Sequence, residues 1–437
     1  MSTGREARRS RLSPTQRALL ERRLRGIALS AEAVRAERSA ARPGSAPPPP
    51  GGGAGADTLD DLPAIRPPGH PPLVDDELWA ALAACGCETA RRLAAAPELA
   101  AEAAQEAHLD RLAVAAVGVA LERLGVFQAA GERRSVAGLI RDRGIAPQFH
   151  KALRRWLEML AEERLVERDG EEYVAAAPLP PPALAGLLDA EERRLYSEKL
   201  PAVLTGELHP LEFYLPGGSS ASAEASYREL PVFRYCNGIA AAVVAAQVRA
   251  LPPASAIRLL EVGAGTGGTT ASLLPLLPPE RTAYVYTDVS RFFTDLGRSR
   301  FAAWERLRYR ELDLERHPRD QGFPASCCDW IVAAHVLHAT RDLVETLGHL
   351  RWLLAAGGIL LLLEETRFLR RYNFSMGFLP GFDHFEDYAL RPLHPLLPSG
   401  RWGELLLAHG FAGVAACTEP GSPPERLGVD VLLARAR

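Results

Sequence analysis

The chain has 437 residues, a length that corresponds to two or three folded units. Hydrophobic residues make up 47% and charged residues 24%, values typical of globular proteins that exclude a chain disordered throughout. The net charge of −3 argues against a protein whose main task is to coat nucleic acid or an anionic membrane. Its apolar runs are short and no signal peptide follows Met1, so we predict a cytoplasmic protein.

Residues 1–57 have the composition of an arm and a linker. Arginines crowd the first part, and four prolines and three glycines follow at 47–53. Ser13-Pro14 predicts one short capped helix over 13–25, a candidate docking segment. We expect a disordered basic arm, and the interspersed glutamates and missing aromatic residues favour docking over RNA or DNA binding.

Residues 74–177 predict a helical domain. Apolar residues recur at helical spacing over 112–124, Ser135 is a helix cap, and a third helix carries Trp156 on its apolar face. The Asp-Gly turn at 169–170 then predicts a hairpin. Three helices and a hairpin are the outline of a winged helix, which leaves DNA binding and a structural lid as alternatives. Acidic residues in the third helix favour the lid.

The remaining chain is expected to form a helical connector and an α/β domain. Residues 178–250, after a proline-rich break, are mostly helical and are expected to complete a cofactor pocket. Over 251–437 short apolar runs alternate with helical patterns, which is typical of a doubly wound parallel sheet. The expected strands are 257–262, 283–286, 307–312, 330–336, 359–363 and 429–433.

A glycine loop follows the first of these strands. Gly263, Gly265 and Gly267 let the backbone turn tightly and bring its N–H groups close to a ligand. Such loops also bind dinucleotides. However, Glu261 precedes the loop, where a carboxylate suits a cationic amino group better than a pyrophosphate, and the P-loop lysine is missing.

Two further acidic groups follow the next two strands. Asp288 can accept both hydroxyls of a ribose, and Asp313 with Leu314 falls where adenine edges usually lie. Acidic groups at three successive strand ends suit a zwitterionic nucleoside without phosphate. The sequence therefore predicts S-adenosylmethionine as the ligand, with NAD as the competitor.

The fourth and fifth expected strands carry the residues for acid–base chemistry. The fourth runs toward His335 and His338, and the fifth ends in Glu364 and Glu365. Neighbouring parallel strands deliver their carboxyl ends to one crevice, so these side chains are expected to meet. A lone histidine at a strand end is more often structural, but Glu364 behind His338 would make it a base held in one tautomer.

Four segments, at 261–270, 313–323, 336–342 and 361–365, together resemble the methyltransferase domains of polyketide synthase and mixed peptide–polyketide assembly lines. The resemblance spans about residues 105–437. It implies a Rossmann-like class I methyltransferase sheet, S-adenosylmethionine as the cofactor, and a histidine and a glutamate as the catalytic dyad. By this resemblance the catalytic residues are His338 and Glu364, and the cofactor-binding residues are Asn237, Glu261, Gly263, Gly265, Gly267, Asp288, Asp313, Leu314, Ala334 and His335.

One departure concerns His335. The family usually has asparagine at this position, so this chain has an additional titrating group there. The 13–25 helix also resembles the segments that join synthase modules, and the Met1 start favours a free-standing protein.

The acceptor is expected to be an acyl chain on the phosphopantetheine of an acyl carrier protein. The Gly-Phe and Phe-Glu-Asp pattern over 376–387 resembles O-methylating domains of trans-acyltransferase synthases, whereas C-methylating relatives more often have glycine and two tryptophans. We therefore expect methylation of a β-hydroxyl. Methylation of the α-carbon of a β-ketoacyl chain is the alternative, and a catalytically idle docking module is the rival of another class. Other synthase modules are expected partners, whereas nucleic acid, membrane and metal are not.

Overall fold

The computed structural model describes residues 74–210, 230–379 and 381–437. The predicted basic arm and its 13–25 helix lie outside the described residues. None of the helices in these ranges is long and apolar enough to cross a membrane.

The first part of the described chain consists of helices around a small three-stranded sheet. Ser135 caps a helix as predicted, because its hydroxyl accepts the Gly138 N–H at 3.0 Å. The predicted hairpin is also present, and its second strand lies between the other two. The elements are α1 (Asp76–Ala94), α2 (Pro97–Arg123), β1 (Arg133–Ser135), α3 (Val136–Arg143), α4 (His150–Glu162), β2 (Val166–Asp169), β3 (Glu172–Ala175), α5 (Pro182–Ala185), α6 (Ala190–Thr205) and α7 (Pro231–Ala250).

The second part is built on a seven-stranded sheet of order β6-β5-β4-β7-β8-β10-β9. Only β10 runs against the other strands of this sheet, so the predicted doubly wound, Rossmann-like α/β fold is confirmed. Its elements are β4 (Ile257–Val262), α8 (Gly268–Leu273), β5 (Thr282–Asp288), α9 (Arg291–Arg300), β6 (Leu307–Glu311), β7 (Cys328–Ala334), α10 (Leu343–Leu353), β8 (Leu354–Glu365), α11 (Ser399–Ala408), β9 (Phe411–Ala416), α12 (Pro423–Arg426) and β10 (Val429–Ala436).

The strand order determines where a ligand can bind. The chain runs from β4 outward through β5 to β6, and then returns to β7 on the other side of β4. At such a switch point the loops after β4 and β7 diverge, which opens a crevice at the carboxyl edge of the sheet. All the strand-end residues selected from the sequence belong to this edge.

The bounds of several strands differ from the prediction by a few residues, and two differences have a clear physical reason. Strand β7 ends at Ala334 and not at residue 336, because His335 adopts a left-handed conformation with φ 56° that an extended strand does not allow. Strand β9 was not predicted, since it contains four small residues, Gly413 among them, and lacks the β-branched pattern of a buried strand.

The loop between β8 and α11 packs on the helical part of the molecule. Buried residues of this loop, among them Phe374 and Phe378, share one hydrophobic cluster with α2, α4 and α6. Phe378 makes edge-on contacts with Phe149 and Trp156, at centroid distances of 5.4 and 5.9 Å. The helical part therefore supports a loop of the α/β part. The boundaries 74–177, 178–250 and 251–437 stay predictions.

Candidate active site

A cavity opens at the carboxyl edge of the sheet, at the switch point. It brings together most of the residues selected from the sequence: Asn237, Glu261, Gly263, Gly265, Asp288, Asp313, Leu314, Ala334, His335 and His338. Gly267 and Glu364 do not line the cavity, although Glu364 contacts His338, which does. Residues more than 100 positions apart in the chain thus form one wall.

The glycine loop has the conformation that its sequence predicts. Gly263, Gly265 and Gly267 have φ values of 58°, 56° and 77°, in the left-handed region that favours glycine. A Cβ atom at Gly263 would lie 2.3 Å from a methyl group of Val336, and one at Gly267 would lie 2.6 Å from the Phe301 ring. The loop therefore needs glycine for its backbone angles and, at these two positions, for space.

Two carboxylates of the cavity are held by backbone N–H groups. Asp288 accepts the N–H groups of Gly265 and Ser290, both at 2.9 Å, which links the end of β5 to the glycine loop. Asp313, just after β6, accepts the Glu315 N–H at 2.9 Å. Both side chains are thus fixed at the positions where a nucleoside ligand would meet them.

Glu261, at the end of β4, is buried beside the cavity. One carboxylate oxygen accepts hydrogen bonds from Thr270 and Tyr284, both at 2.5 Å. Burial raises the pKa of Glu261 to about 7, because its charged form loses hydration. Among the residues that the structure describes, no lysine or arginine forms an ion pair with it. A cationic group entering the cavity would therefore stabilise this carboxylate.

Asn237 reaches the cavity from α7. Its side-chain oxygen accepts a hydrogen bond from Thr269, near the start of α8, at 2.8 Å. The amide is thereby tied to the helix that follows the glycine loop, although it lies 32 residues away in sequence.

His338 and Glu364 form a close, buried pair. The Nδ1 atom of His338 lies 2.6 Å from Oε2 of Glu364, and the two residues are 8% and 0% exposed. His338 lies in a 3₁₀ turn, Leu337–Ala339, just beyond β7. Because Nδ1 is engaged by the carboxylate, Nε2 is the nitrogen that can exchange a proton with a molecule in the cavity.

Glu364 also holds the turn that carries His338. Its other carboxylate oxygen accepts the backbone N–H groups of Val336, Leu337 and His338 at 3.2, 2.8 and 3.4 Å. This second role could not be predicted from the sequence. One side chain therefore fixes both the imidazole and its backbone.

The charges around His338 favour its protonated form. Burial alone would lower the pKa of His338, but the carboxylate of Glu364, with that of Glu365, raises it to about 9. A histidine with such a pKa carries a proton at neutral pH, so it has to release that proton before it can act as a general base.

The donor atoms of His338, Glu364 and Glu365 lie within 4.8 Å of one another. Similar groups hold metal ions in other proteins. Here, however, the oxygens of Glu364 are already used by His338 Nδ1 and by three backbone N–H groups. This occupancy favours acid–base chemistry, and the expectation that no metal binds stays a prediction.

Comparison with known proteins identifies the chain. A family model described as a methyltransferase domain matches residues 260–360. The chain is 43% identical over 166 residues to the reducing polyketide synthase grgA of Penicillium sp., which covers 38% of this chain and 7% of that protein. The solved structure of the CurJ carbon methyltransferase is 32% identical with a TM-score of 0.69, covering 80% of this chain and 99% of that one. The chain belongs to the methyltransferase domains of polyketide synthases.

A second solved structure, the DszA carbon methyltransferase, is 28% identical with a TM-score of 0.69 and covers 84% of this chain and 98% of that one. The curated relatives are much longer, since this methyltransferase spans between 4% and 9% of their lengths. The comparisons therefore concern one catalytic domain of those synthases.

The cofactor of this family is S-adenosylmethionine, and the cavity of the methyltransferase fits it. The glycine loop leaves no space for a Cβ atom at Gly263, so the backbone itself forms the floor of the cavity. Glu261 is a buried carboxylate without a cationic partner among the described residues, as the ammonium group of the cofactor requires. Acidic groups at Asp288 and Asp313 would repel a phosphate but can accept hydrogen bonds from a nucleoside.

The opposite wall of the cavity comes from the loop after β8. It contributes mainly apolar side chains, Met376, Leu379 and Phe382, and one titratable group, His384. Phe378 and Phe385 are buried and are absent from the cavity wall. Of the three phenylalanines in the 376–387 segment, only Phe382 can therefore touch an acceptor.

Three residues that line the cavity or hold its lining were missed by sequence reasoning. Arg391 is buried and donates hydrogen bonds to the carbonyl oxygens of His338 and Thr340, at 2.9 and 2.8 Å. Glu315 accepts from His384 at 3.0 Å across the cavity, and it also accepts the Arg341 N–H. Arg391 belongs to no local motif, and Glu315, although it lies in the 313–323 segment, meets a partner 69 residues away, so no sequence signal pointed to these contacts.

The third missed residue is Glu365. Its position beside Glu364 in the sequence was noted, but only one of the two carboxylates was expected to act. Glu365 lines the cavity, and its Oε2 atom lies 3.8 Å from Nε2 of His338.

Proposed function

We propose that this methyltransferase methylates the α-carbon of a β-ketoacyl chain carried by the phosphopantetheine arm of an acyl carrier protein. The observation that carries the proposal is the His338–Glu364 pair, 2.6 Å apart, at the cavity that also holds the glycine loop. We also propose that the protein works in the cytoplasm.

The residues have distinct roles in the proposed reaction. S-adenosylmethionine, when bound, supplies an electrophilic methyl group on a positively charged sulfur. His338 takes the α-proton of the acceptor at Nε2, and the electron pair of the broken C–H bond becomes the nucleophile. Glu364 keeps the ring in the tautomer that leaves Nε2 free and stabilises the imidazolium formed. The apolar wall of Met376, Leu379 and Phe382 excludes water from the acceptor chain.

Carbon methylation is supported by two independent considerations. The solved structures of 32% and 28% identity, each covered almost completely, are described as carbon methyltransferases. In addition, a proton between a ketone and a thioester is far more acidic than an alcohol proton, since two carbonyl oxygens share the enolate charge. A histidine is therefore better matched to the carbon acid than to a hydroxyl.

Methylation of a β-hydroxyl is the second candidate. It is favoured by the Gly-Phe and Phe-Glu-Asp pattern over 376–387. Phe378 and Phe385 of this pattern are buried in packing contacts, with Phe378 against Trp156 and Phe385 beneath Lys151. The sequence pattern therefore reflects how the loop packs as much as which acceptor it binds. For this reason we rank methylation of the β-hydroxyl second. The intact pair of His338 and Glu364 argues against an idle module.

The experiment is intact-mass spectrometry of carrier proteins loaded with either a β-ketoacyl or a β-hydroxyacyl chain. We expect a gain of one methyl group on the keto chain only, and none with His338→Ala. His409→Ala, a histidine outside the cavity, is the control that should keep the activity. Methylation of the hydroxy chain only would establish the second candidate. The absence of methylation on both chains would contradict the proposed function.

A further inference from the structure

Two carboxylates face His338 at the end of β8. Glu364 engages Nδ1, whereas Oε2 of Glu365 lies 3.8 Å from Nε2. Glu364 is fully buried and also accepts backbone N–H groups, so it is committed to holding the ring. Glu365 lines the cavity on the side of Nε2, where a proton from the acceptor would arrive.

His335 directs its ring toward the same carboxylate. Its left-handed backbone, φ 56°, costs a non-glycine residue about 1–2 kcal/mol. The strained turn is held by a hydrogen bond from the His335 N–H to Leu363 O at 2.7 Å and by an edge-on contact with Phe233. Nδ1 of His335 is buried, has no hydrogen-bond partner among the described residues, and lies 3.7 Å from Oε2 of Glu365.

We propose that Glu365 and His335 form the route by which the proton taken up by His338 leaves the site, an inference that rests on the function proposed above. The N–H bond at His338 Nε2 breaks and its proton passes to Oε2 of Glu365, which restores the neutral imidazole. Glu365 passes the proton to Nδ1 of His335, and the imidazolium formed there loses its Nε2 proton to solvent, since the side chain is 12% exposed. Oε2 of Glu365 lies 3.8 Å from His338 Nε2 and 3.7 Å from His335 Nδ1, and both distances are longer than a hydrogen bond. A rotation of the Glu365 carboxylate is therefore needed to carry the proton from one ring to the other.

The contacts of His338 leave Nε2, on the side of Glu365, as the atom from which the proton departs. Nδ1 of His338 is engaged by Glu364, which has no contact with solvent. Arg391 donates to the backbone oxygen of His338 and, as a permanent cation, accepts no proton. The remaining charged or titratable groups that line the cavity are Glu261, Asp288, Asp313, Glu315 and His384.

The test uses Glu365→Gln and His335→Asn, with Glu404→Gln on the exposed face of α11 as the control. We expect turnover to fall about tenfold to hundredfold in both variants, the range in which a single acid–base group contributes. Added imidazole or formate buffer should restore the rate, because a small acid can replace a lost proton carrier. Calorimetry should show that the affinity for S-adenosylmethionine is unchanged in Glu365→Gln.

NMR titration of His338 in the free protein provides a readout that does not depend on activity. Glu365→Gln should lower the pKa of His338, because it removes a nearby negative charge. In His335→Asn the pKa of His338 should stay higher than in Glu365→Gln. The acid limb of the pH profile of kcat/KM should move to lower pH in Glu365→Gln.

Three results would overturn the proposal: full activity in both variants, a loss that no buffer restores, or a loss of cofactor affinity. The last would make Glu365 a cofactor ligand. If the wild-type protein methylates neither carrier substrate, the proposed function fails, while the NMR titration still decides whether Glu365 acts on His338.

Discussion

The two sides of the cavity are built in different ways. The cofactor side consists of turns that directly follow consecutive strands, β4, β5 and β6, and each turn is stabilised by neighbours along the same edge. The acceptor side is a long loop after β8, held by residues of α4 that are more than 200 positions away. Local sequence is thus sufficient to specify the first side, whereas the second depends on long-range packing.

The acceptor side is held by buried charges. Arg155, whose side chain is 1% exposed, forms two hydrogen bonds with Asp383, at 2.5 and 3.1 Å, and a third with Gly377 O. Lys151 donates to the carbonyl oxygens of Asp383 and Phe385. These contacts use the basic residues of the helix that would read DNA in a winged-helix regulator. They favour the lid alternative, and the absence of nucleic-acid binding stays a prediction.

The largest expected effect concerns the residue that both sides share. His338→Ala removes the base, so turnover should fall about 10²- to 10⁴-fold. Cofactor affinity should change little, because the glycine loop and its carboxylates remain. Turnover measured by mass spectrometry and affinity measured by calorimetry separate the two quantities. A collapse of the affinity would instead show that His338 has a structural role.

A glycine substitution tests the cofactor side alone. Ala at Gly263 or Gly265 meets the same left-handed strain, but only at Gly263 would the new Cβ atom lie 2.3 Å from Val336. The added overlap costs about 1–3 kcal/mol, so Gly263→Ala should weaken cofactor binding about tenfold to hundredfold more than Gly265→Ala. Calorimetric titration measures both. Equal losses would mean that Val336 moves aside.

A substitution in α4 tests the acceptor side alone. Arg155→Met leaves Asp383 without its partner and should lower the free energy of unfolding by about 3 kcal/mol. The KM for the acyl carrier substrate should rise roughly tenfold, the order expected for losing about 1.4 kcal/mol of acceptor binding, while cofactor affinity stays the same. Urea unfolding and steady-state kinetics measure the two effects. Arg154→Met, on the exposed face of the same helix, is the matched control, and an equal effect there would refute the argument.

The smallest effect is a pH dependence of cofactor binding. Glu261 has a pKa raised to about 7 by burial, and it has to lose its proton to pair with an ammonium group. The affinity should therefore level off only at about pH 8 and should fall several-fold between pH 7 and pH 6. Calorimetry in buffers of different ionisation enthalpy detects the released proton. In Glu261→Gln the affinity should be weaker and much less dependent on pH.

The cofactor side was largely predictable from the sequence because its signals are local. The bounds of β4 agree with the prediction, and Glu261, Asp288 and Asp313 lie where the strand-end argument placed them. The pair of His338 and Glu364 was also predicted, because adjacent parallel strands end at one edge. The roles of these residues in binding and catalysis stay predictions.

The acceptor side was not predictable, and the reason is physical. The contacts of Arg155 with Asp383, and of Arg391 with the His338 turn, join distant segments through buried charges. Arginine residues are common in this sequence, and nothing local distinguishes a buried one from an exposed one. The left-handed turn at His335 was missed as well, because it depends on packing against Phe233.

The antiparallel strand β10 has a consequence for how the molecule is assembled during synthesis. It pairs along the whole catalytic end of β8, with Asp430 opposite Glu364 and Val429 opposite Glu365. Until residues 429–436 have emerged from the ribosome, one edge of β8 lacks these backbone hydrogen bonds. The cofactor-binding residues selected from the sequence end at His335, about 90 residues before β10, so they can come together before the pair of His338 and Glu364 is held by the complete sheet. Binding competence should precede catalytic competence in the growing chain.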